Sequence, residues 1–190
     1  MKNLILFSFF SLLLFASCSK TEDPAPGDDY YIKFKINGTE VEYKASAINA
    51  VSLAHTPPHY IFGTTVTGPG SDGTKNFISI SAVHETEFEA GVTYNLQDGT
   101  QAGAVRIGKV SLTYADNNGD IYNAVILQSS VPSIVVKDSA TWRFNSLDTQ
   151  LATGVFSGLV IGPVSTTTGR GTVELAVTDG EFRLPVVKTY

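Results

Sequence analysis

The feature that most restricts the fold is a period of two. From Tyr30 to Val187 apolar side chains recur at alternate positions, and no window carries a capped apolar stripe of period 3.6. Ile32, Phe34 and Ile36 share one face of an extended segment, with Tyr31, Lys33 and Lys35 on the other. Asn37-Gly38 follows, the pair favoured in a type I′ turn because both central residues need positive φ. Val41, Tyr43 and Ala45 then alternate with Glu40, Glu42 and Lys44. The pattern predicts a β-hairpin whose polar face sets Lys33 and Lys35 near Glu40 and Glu42. Exposed ion pairs of this kind are surface chemistry and add little stability.

The same alternation predicts strands at Tyr60–Thr67 and Asn76–His84, around the turn GPGSDGTK (68–75), and at Gly91–Leu96. A long strand is expected over Val105–Ala115, then the turn DNNGD (116–120) and a strand over Ile121–Gln128. Ile134–Lys137 and Ala140–Ser146 follow, the second with Ala140, Trp142 and Phe144 on one face, and then Leu151–Ile161. The last unit reads as a hairpin: Thr172–Thr178, a turn at Asp179-Gly180, and Glu181–Val187. Residues 46–59 break the alternation, and Pro57-Pro58 predicts an irregular loop there, since proline cannot donate to a central ladder. About ten short strands with no helix predict an all-β domain, an antiparallel β-sandwich or a partly open barrel. The pattern does not choose between the two.

Ahead of this domain, one positive charge (Lys2) precedes an apolar run from Leu4 to Phe15, then Ala16, Ser17 and Cys18. The run is about 12 residues, short of the ~20 needed to cross a bilayer, and fits the apolar region of an export signal. The expected organisation is a signal peptide over 1–17, a lipidated Cys18 with a flexible tether over 18–29, and one β-domain over 30–190. Residues 19–29 hold two prolines, a glycine and no large apolar side chain, too little to offset the entropy of ordering. Cys18 is the sole cysteine of the 190 residues, so no disulfide can form within the chain and packing alone must hold the domain. The other reading of the leader is an ordinary signal peptide with an incidental cysteine. The chain has 13 Lys and Arg against 18 Asp and Glu, and loss of Lys2 with the leader makes the remainder one unit more acidic. With no basic cluster to neutralise phosphates, no nucleic-acid partner is expected.

Phe15-Ala16-Ser17-Cys18 resembles the bacterial lipobox, with Phe15 where leucine is usual. The lysine and acids after Cys18 resemble the signals that send Bacteroidota lipoproteins to the outer face of the outer membrane. FKINGTEVEYKA (34–45), Gly91-Val92-Thr93-Tyr94-Asn95-Leu96, and the block from ATWRFNSLDTQLATGVFSG (140–158) through GTVELAVTDGEFRL (171–184) resemble small Bacteroidota lipoproteins of a family catalogued only as a domain of unknown function. The resemblance implies a β-domain held at the outer membrane by acyl chains on Cys18. It implies no catalytic residues.

Candidate chemistry is sparse. Asp116, Asn118 and Asp120 have the 1-3-5 oxygen spacing of a calcium loop, but the sixth and twelfth positions hold Ile121 and Leu127 in place of glycine and glutamate, so a polar hairpin turn is the favoured reading. Gly68–Lys75 has two glycines and a lysine in the wrong order for a phosphate loop, and a strand follows where a helix is required. His55 and His59 flank the prolines, and His84 precedes Glu85, Glu87 and Glu89, with no spacing that would bring a zinc set together. No Gly-x-Ser-x-Gly elbow is present, and no two carboxylates stand out as a glycosidase pair. Tyr30, Tyr31, Tyr60, Tyr94, Tyr114, Tyr122 and Trp142 cannot all be assigned to a core by alternation and could stack on sugars or anchor a protein, but the favoured reading is that most pack between sheets with their hydroxyls reaching water. The expected function is a non-catalytic, lipid-anchored envelope module that binds a glycan or an envelope protein, without a cofactor. The alternative is a structural or adhesive subunit that assembles by strand addition, with Phe182–Val187 as donor, and a hydrolase comes third.

Overall fold

The structure is a computed structural model that describes residues 30–46 and 48–190. The signal peptide, Cys18 and the tether up to residue 29 lie outside the described residues. The described chain is all-β. Its strands are β1 (Tyr31–Ile36), β2 (Thr39–Lys44), β3 (Val51–Thr56), β4 (His59–Thr67), β5 (Phe77–His84), β6 (Thr93–Asn95), β7 (Thr100–Ala102), β8 (Val105–Ile107), β9 (Val110–Ala115), β10 (Ile121–Ala124), β11 (Ser139–Leu147), β12 (Leu151–Ser165) and β13 (Gly169–Lys188). Single turns of 3₁₀ helix occur at Leu96–Asp98 and Gln128–Ser130.

The main sheet runs β2-β1-β13-β3-β4-β5-β9-β10-β12-β11-β6, and β12 also pairs with β13, which folds the sheet back on itself. Two layers result. β2-β1-β13-β12-β11-β6 forms one, and β3-β4-β5-β9-β10 forms the other. They join where β3 runs parallel to β13 and where Asn123 of β10 meets Ile161 of β12. Among the described residues the β3–β13 pair is the one parallel ladder between strands, accompanied by a single parallel bridge of Ala90 to Phe144; every other named ladder is antiparallel. β7 and β8 form a separate two-stranded ribbon.

The core lies between the layers and is strongly aromatic. Trp142 of β11 stacks on Phe62 of β4 across the gap, with centroids 4.3 Å apart and planes 17° from parallel. Phe144 meets that pair edge-on, and Phe88 and Tyr94 close over it from the loop side. Phe34 of β1 packs edge-on against Tyr114 of β9, a second bridge between layers. Tyr94, Tyr122 and Trp142, candidates for exposed stacking surface, are buried, and Tyr30, Tyr60 and Tyr114 pack against the core. Tyr31 alone of that set stands on the outer face of a sheet.

The Asn37-Gly38 hairpin forms as the alternation predicts, with φ values of 49° and 85°. Elsewhere the ladders overrule local signals. Val51–Thr56 is a strand, with Pro57-Pro58 confined to the short turn between β3 and β4, where the N–H that proline lacks is not needed by a ladder. Val105–Ala115 is two strands, because the chain passes Gly108 close against Leu96 before β9 begins. β10 ends at Ala124, and Ile134–Lys137 is irregular, pinned by Gln128, which donates to the Ile134 carbonyl at 2.7 Å and accepts from the Val136 N–H at 2.8 Å. Asp179-Gly180 is no hairpin turn. β13 runs through it as a bulge: Phe34 of β1 faces both residues, and Asp179 takes φ 52°.

Candidate functional site

The outer face of the six-strand layer is built from the positions that alternate with the core. One row crosses all six strands by register: Thr93, Arg143, Val155, Glu181, Lys33 and Glu42. On one side lies the row Ser146, Thr153, Arg183, Tyr31 and Lys44. On the other, Asn95, Thr141 and Ser157 lead to the bulged Asp179, beyond which Lys35 faces Glu40. With strands about 4.8 Å apart, this is a grid of charges and hydroxyls broken by one aliphatic side chain, Val155.

Two hollows of about 500 and 530 Å³ lie in this face and share Asp179 and Glu181. The first is lined by Thr93, Thr141, Arg143, Val155 and Ser157, the second by Lys33, Lys35, Glu40 and Glu42. Glu181 is the post between them. Its Oε1 accepts from the Tyr31 hydroxyl at 2.9 Å and pairs with Lys33 Nζ at 2.6 Å. The lysine hydrogen bond outweighs the cost of partial burial and holds the Glu181 carboxyl below the usual carboxylate range. Burial first, then the facing carboxylate, raises the Tyr31 hydroxyl above its ordinary value. Asp179 pairs with Lys35 at 2.9 Å. The register places Lys33 opposite Glu42 and Lys35 opposite Glu40, as the hairpin pattern predicts, yet both lysines lean inward to the acids of β13. Glu42 on the edge strand pairs with Lys44 at 3.2 Å.

The other sequence candidates fall elsewhere. Asp116 Oδ1 accepts from the backbone N–H of Asn118 at 2.8 Å and of Asp120 at 2.9 Å, so the acid of the calcium-like spacing braces its own turn. Among the described residues no three His, Cys, Asp or Glu side chains gather as a metal site. The three histidines share one end of the sandwich without converging. His55 stacks on Tyr60 at 4.2 Å, His59 Nε2 lies 2.9 Å from the Gln101 carbonyl, and His84 Nδ1 accepts from the Thr86 N–H at 3.1 Å. Of the nearby acids, Glu85 accepts from Thr100, and Glu87 pairs with Lys188 at 2.5 Å and accepts from Tyr190 at 3.0 Å. The Gly68–Lys75 loop closes on itself, with Asp72 accepting from Thr74, and leads into β5.

One centre had no sequence signal. Asp138, whose side chain is 2% exposed, accepts from Arg170 at 2.9 and 2.7 Å and from the N–H of Val125 and Ile126. Arg170 also donates to the carbonyls of Asn123 and Ile161, and Gln97 ties the Ile126 and Asp138 carbonyls together. Over this pair lies an apolar cleft of about 350 Å³ lined by Ile126, Val131, Ile134, Val136 and Ile161. Ile134 and Val135 at its lip are 64% and 83% exposed.

No family model, curated protein or solved structure matches the chain. Among the described residues no helix is long and apolar enough to cross a membrane.

Proposed function

We propose that this chain is a lipid-anchored envelope module, tethered through Cys18 at the outer membrane, that binds a glycan on the outer face of the six-strand layer. The observation that carries the reading is the pair of hollows around Glu181, with polar walls and ionised groups held in place by their neighbours. A sugar offers hydroxyls that donate to carboxylates and accept from lysine and arginine, so it can replace water on such a surface at little cost. An apolar protein surface would strip water from the same charged groups and offer no hydrogen bonds in its place. A catalytic use of Asp179 and Glu181 is less suited to the geometry: a general acid needs a raised pKa, and Glu181 is pushed the other way.

The test is glycan-array binding by the full chain in detergent micelles, with Glu181→Gln as the comparison. Binding that weakens in the variant, at unchanged melting temperature, supports the reading. A blank array, or binding indifferent to Glu181, refutes it. A protein partner is the second reading, favoured by the apolar lip of Ile134 and Val135, and would be seen as a co-purifying envelope protein lost in Val135→Asp.

A further inference from the structure

We propose that the glycan is acidic, and that Arg143 receives its carboxylate in the hollow bounded by β6, β11, β12 and β13. This rests on the glycan reading of the same face and assigns the chemical class of its ligand.

The argument is one of unmatched charge. Lys33 and Lys35 are each neutralised by an acid of β13, and Lys44 by Glu42. Arg143 donates only to the amide oxygen of Asn145, at 3.1 Å, and has no carboxylate within ion-pair distance among the described residues. By register its neighbours are Thr93 on one side and Val155 on the other. The acid of its own row, Glu181, stands two strands away, about 10 Å at the usual strand spacing, and is already committed to Lys33 and Tyr31. Arg143 is half-buried, so water satisfies it less fully than it would an exposed side chain.

Asp179 and Glu181 also line the hollow, each already paired with a lysine, and the rest of the surroundings suit a sugar acid. A guanidinium presents parallel N–H groups that match the two oxygens of a carboxylate, a bidentate fit that a lysine lacks. Thr141 and Ser157 share a hydrogen bond at 2.8 Å beside it, and Thr93 adds a third hydroxyl, so ring hydroxyls find both donors and acceptors. Val155 supplies an apolar floor for the carbon face of a ring. Arg183, one row along and on the next strand but one, also lacks a carboxylate partner among the described residues and stands beside Tyr31, so a chain with repeated carboxylates meets a second cation on the same face.

The experiment is calorimetric titration of the full chain in detergent micelles with galacturonate, glucuronate and mannuronate trisaccharides, their carboxyl-reduced neutral counterparts, and sulfated analogues. The expected result is that at least one uronate binds about tenfold or more tighter than its neutral counterpart, as a charge-assisted bidentate contact implies, and that added salt weakens it. Arg143→Gln should abolish that preference, and Arg143→Lys should restore part of it, with melting temperatures unchanged in both. A neutral trisaccharide bound as tightly as the uronates, or a preference that survives in Arg143→Gln, overturns the inference and leaves the glycan reading standing. Tighter binding of the sulfated analogues overturns the carboxylate assignment. Failure of uronate and neutral sugars alike defeats the inference, and with a blank glycan array it defeats the glycan reading too.

Discussion

Arg170, near the start of β13, lays both guanidinium η-nitrogens on the carboxylate of Asp138, 32 residues earlier in the chain, at 2.9 and 2.7 Å. Asp138 sits just before β11, and Arg170 also bonds the carbonyls of Asn123 on β10 and Ile161 on β12, so one ion pair ties together the seam where the two layers meet. Removing one partner would strand a buried charge. Arg170→Met is therefore expected to cost about 3–5 kcal/mol in chemical denaturation. The double variant Arg170→Met with Asp138→Asn should recover part of that loss, because the stranded carboxylate goes with its partner.

The same carboxylate sets an acid limit on stability. Burial pushes the Asp138 pKa up, but the Arg170 hydrogen bonds and the N–H of Val125 and Ile126 together outweigh it and hold the group below its ordinary value. The unfolded chain, with its carboxyl near the ordinary ~3.9, then takes up the proton first as pH falls. The stabilisation is complete above that value and drains away as pH drops through it towards the depressed native one. Urea midpoints measured from pH 7 to pH 3 should be level in the upper part of the range and fall in the lower. Asp138→Asn should be less stable at neutral pH and show a shallower acid limb.

The bulge in β13 has its own sequence requirement. A Cβ at Gly180 would collide with the Phe156 carbonyl and the Phe156 ring, both held by the β12 ladder. Gly180→Ala should lower the melting temperature markedly and weaken the proposed glycan binding, since Asp179 and Glu181 flank the displaced residue. Asp179 occupies the left-handed region at φ 52°, where a residue with a short polar side chain is tolerated best. Asp179→Asn should melt near the parent, and Asp179→Val, β-branched at that φ, clearly below it.

Asp179-Gly180 also shows where local reading stops. The Asn37-Gly38 hairpin and the inward face of Ala140, Trp142 and Phe144 were legible because neighbouring residues alone decide them: a turn pair, and a period of two. Asp179-Gly180 presents the same kind of turn pair, yet the chain stays extended through it because β13 is paired on both sides over the same stretch, with β12 and with β1. Pro57-Pro58 misleads in the opposite sense, since two prolines exclude ladder hydrogen bonds only for themselves and leave Val51–Thr56 free to pair. The Arg170–Asp138 pair and the Lys33–Glu181 pair join residues far apart in sequence, so no local pattern announces them. The outer polar face was present in the alternation all along, but which strands lie side by side, and hence that Arg143 and Glu181 share a row, follows only from the topology.

The anchor is tested separately from the ligand. Among the described residues the buried core runs from Ile32 to Leu184, and under the proposed anchor role Cys18→Ser should leave the melting temperature of the domain unchanged. Acyl chains contribute ~0.8 kcal/mol for each methylene buried, and several chains make attachment effectively permanent. The variant should move from the membrane fraction to the soluble fraction on centrifugation. A variant that still pellets with membranes would refute the lipid assignment and point to an uncleaved leader or a protein contact as the tether.

Strand addition with Phe182–Val187 as donor meets a physical obstacle in β13 itself. The segment is paired with β12 through Leu184 and Pro185, with β1 through Phe182 and Arg183, and with β3 through Val186 and Val187. Phe182 and Leu184 are buried, and the Phe182 ring packs edge-on against Phe144 at 6.0 Å. Phe182→Ala should cost about 3–5 kcal/mol, the usual loss when a buried phenylalanine leaves a cavity. Deleting Phe182–Tyr190 should abolish cooperative unfolding, because the chain loses the β13–β3 junction between the layers together with the buried Phe182 and Leu184. The intact chain should run as a monomer in light scattering. A deletion variant that stays folded and takes up a synthetic peptide of residues 182–187 would reverse this and make strand exchange the working function, since a donor strand must leave a fold that survives its departure.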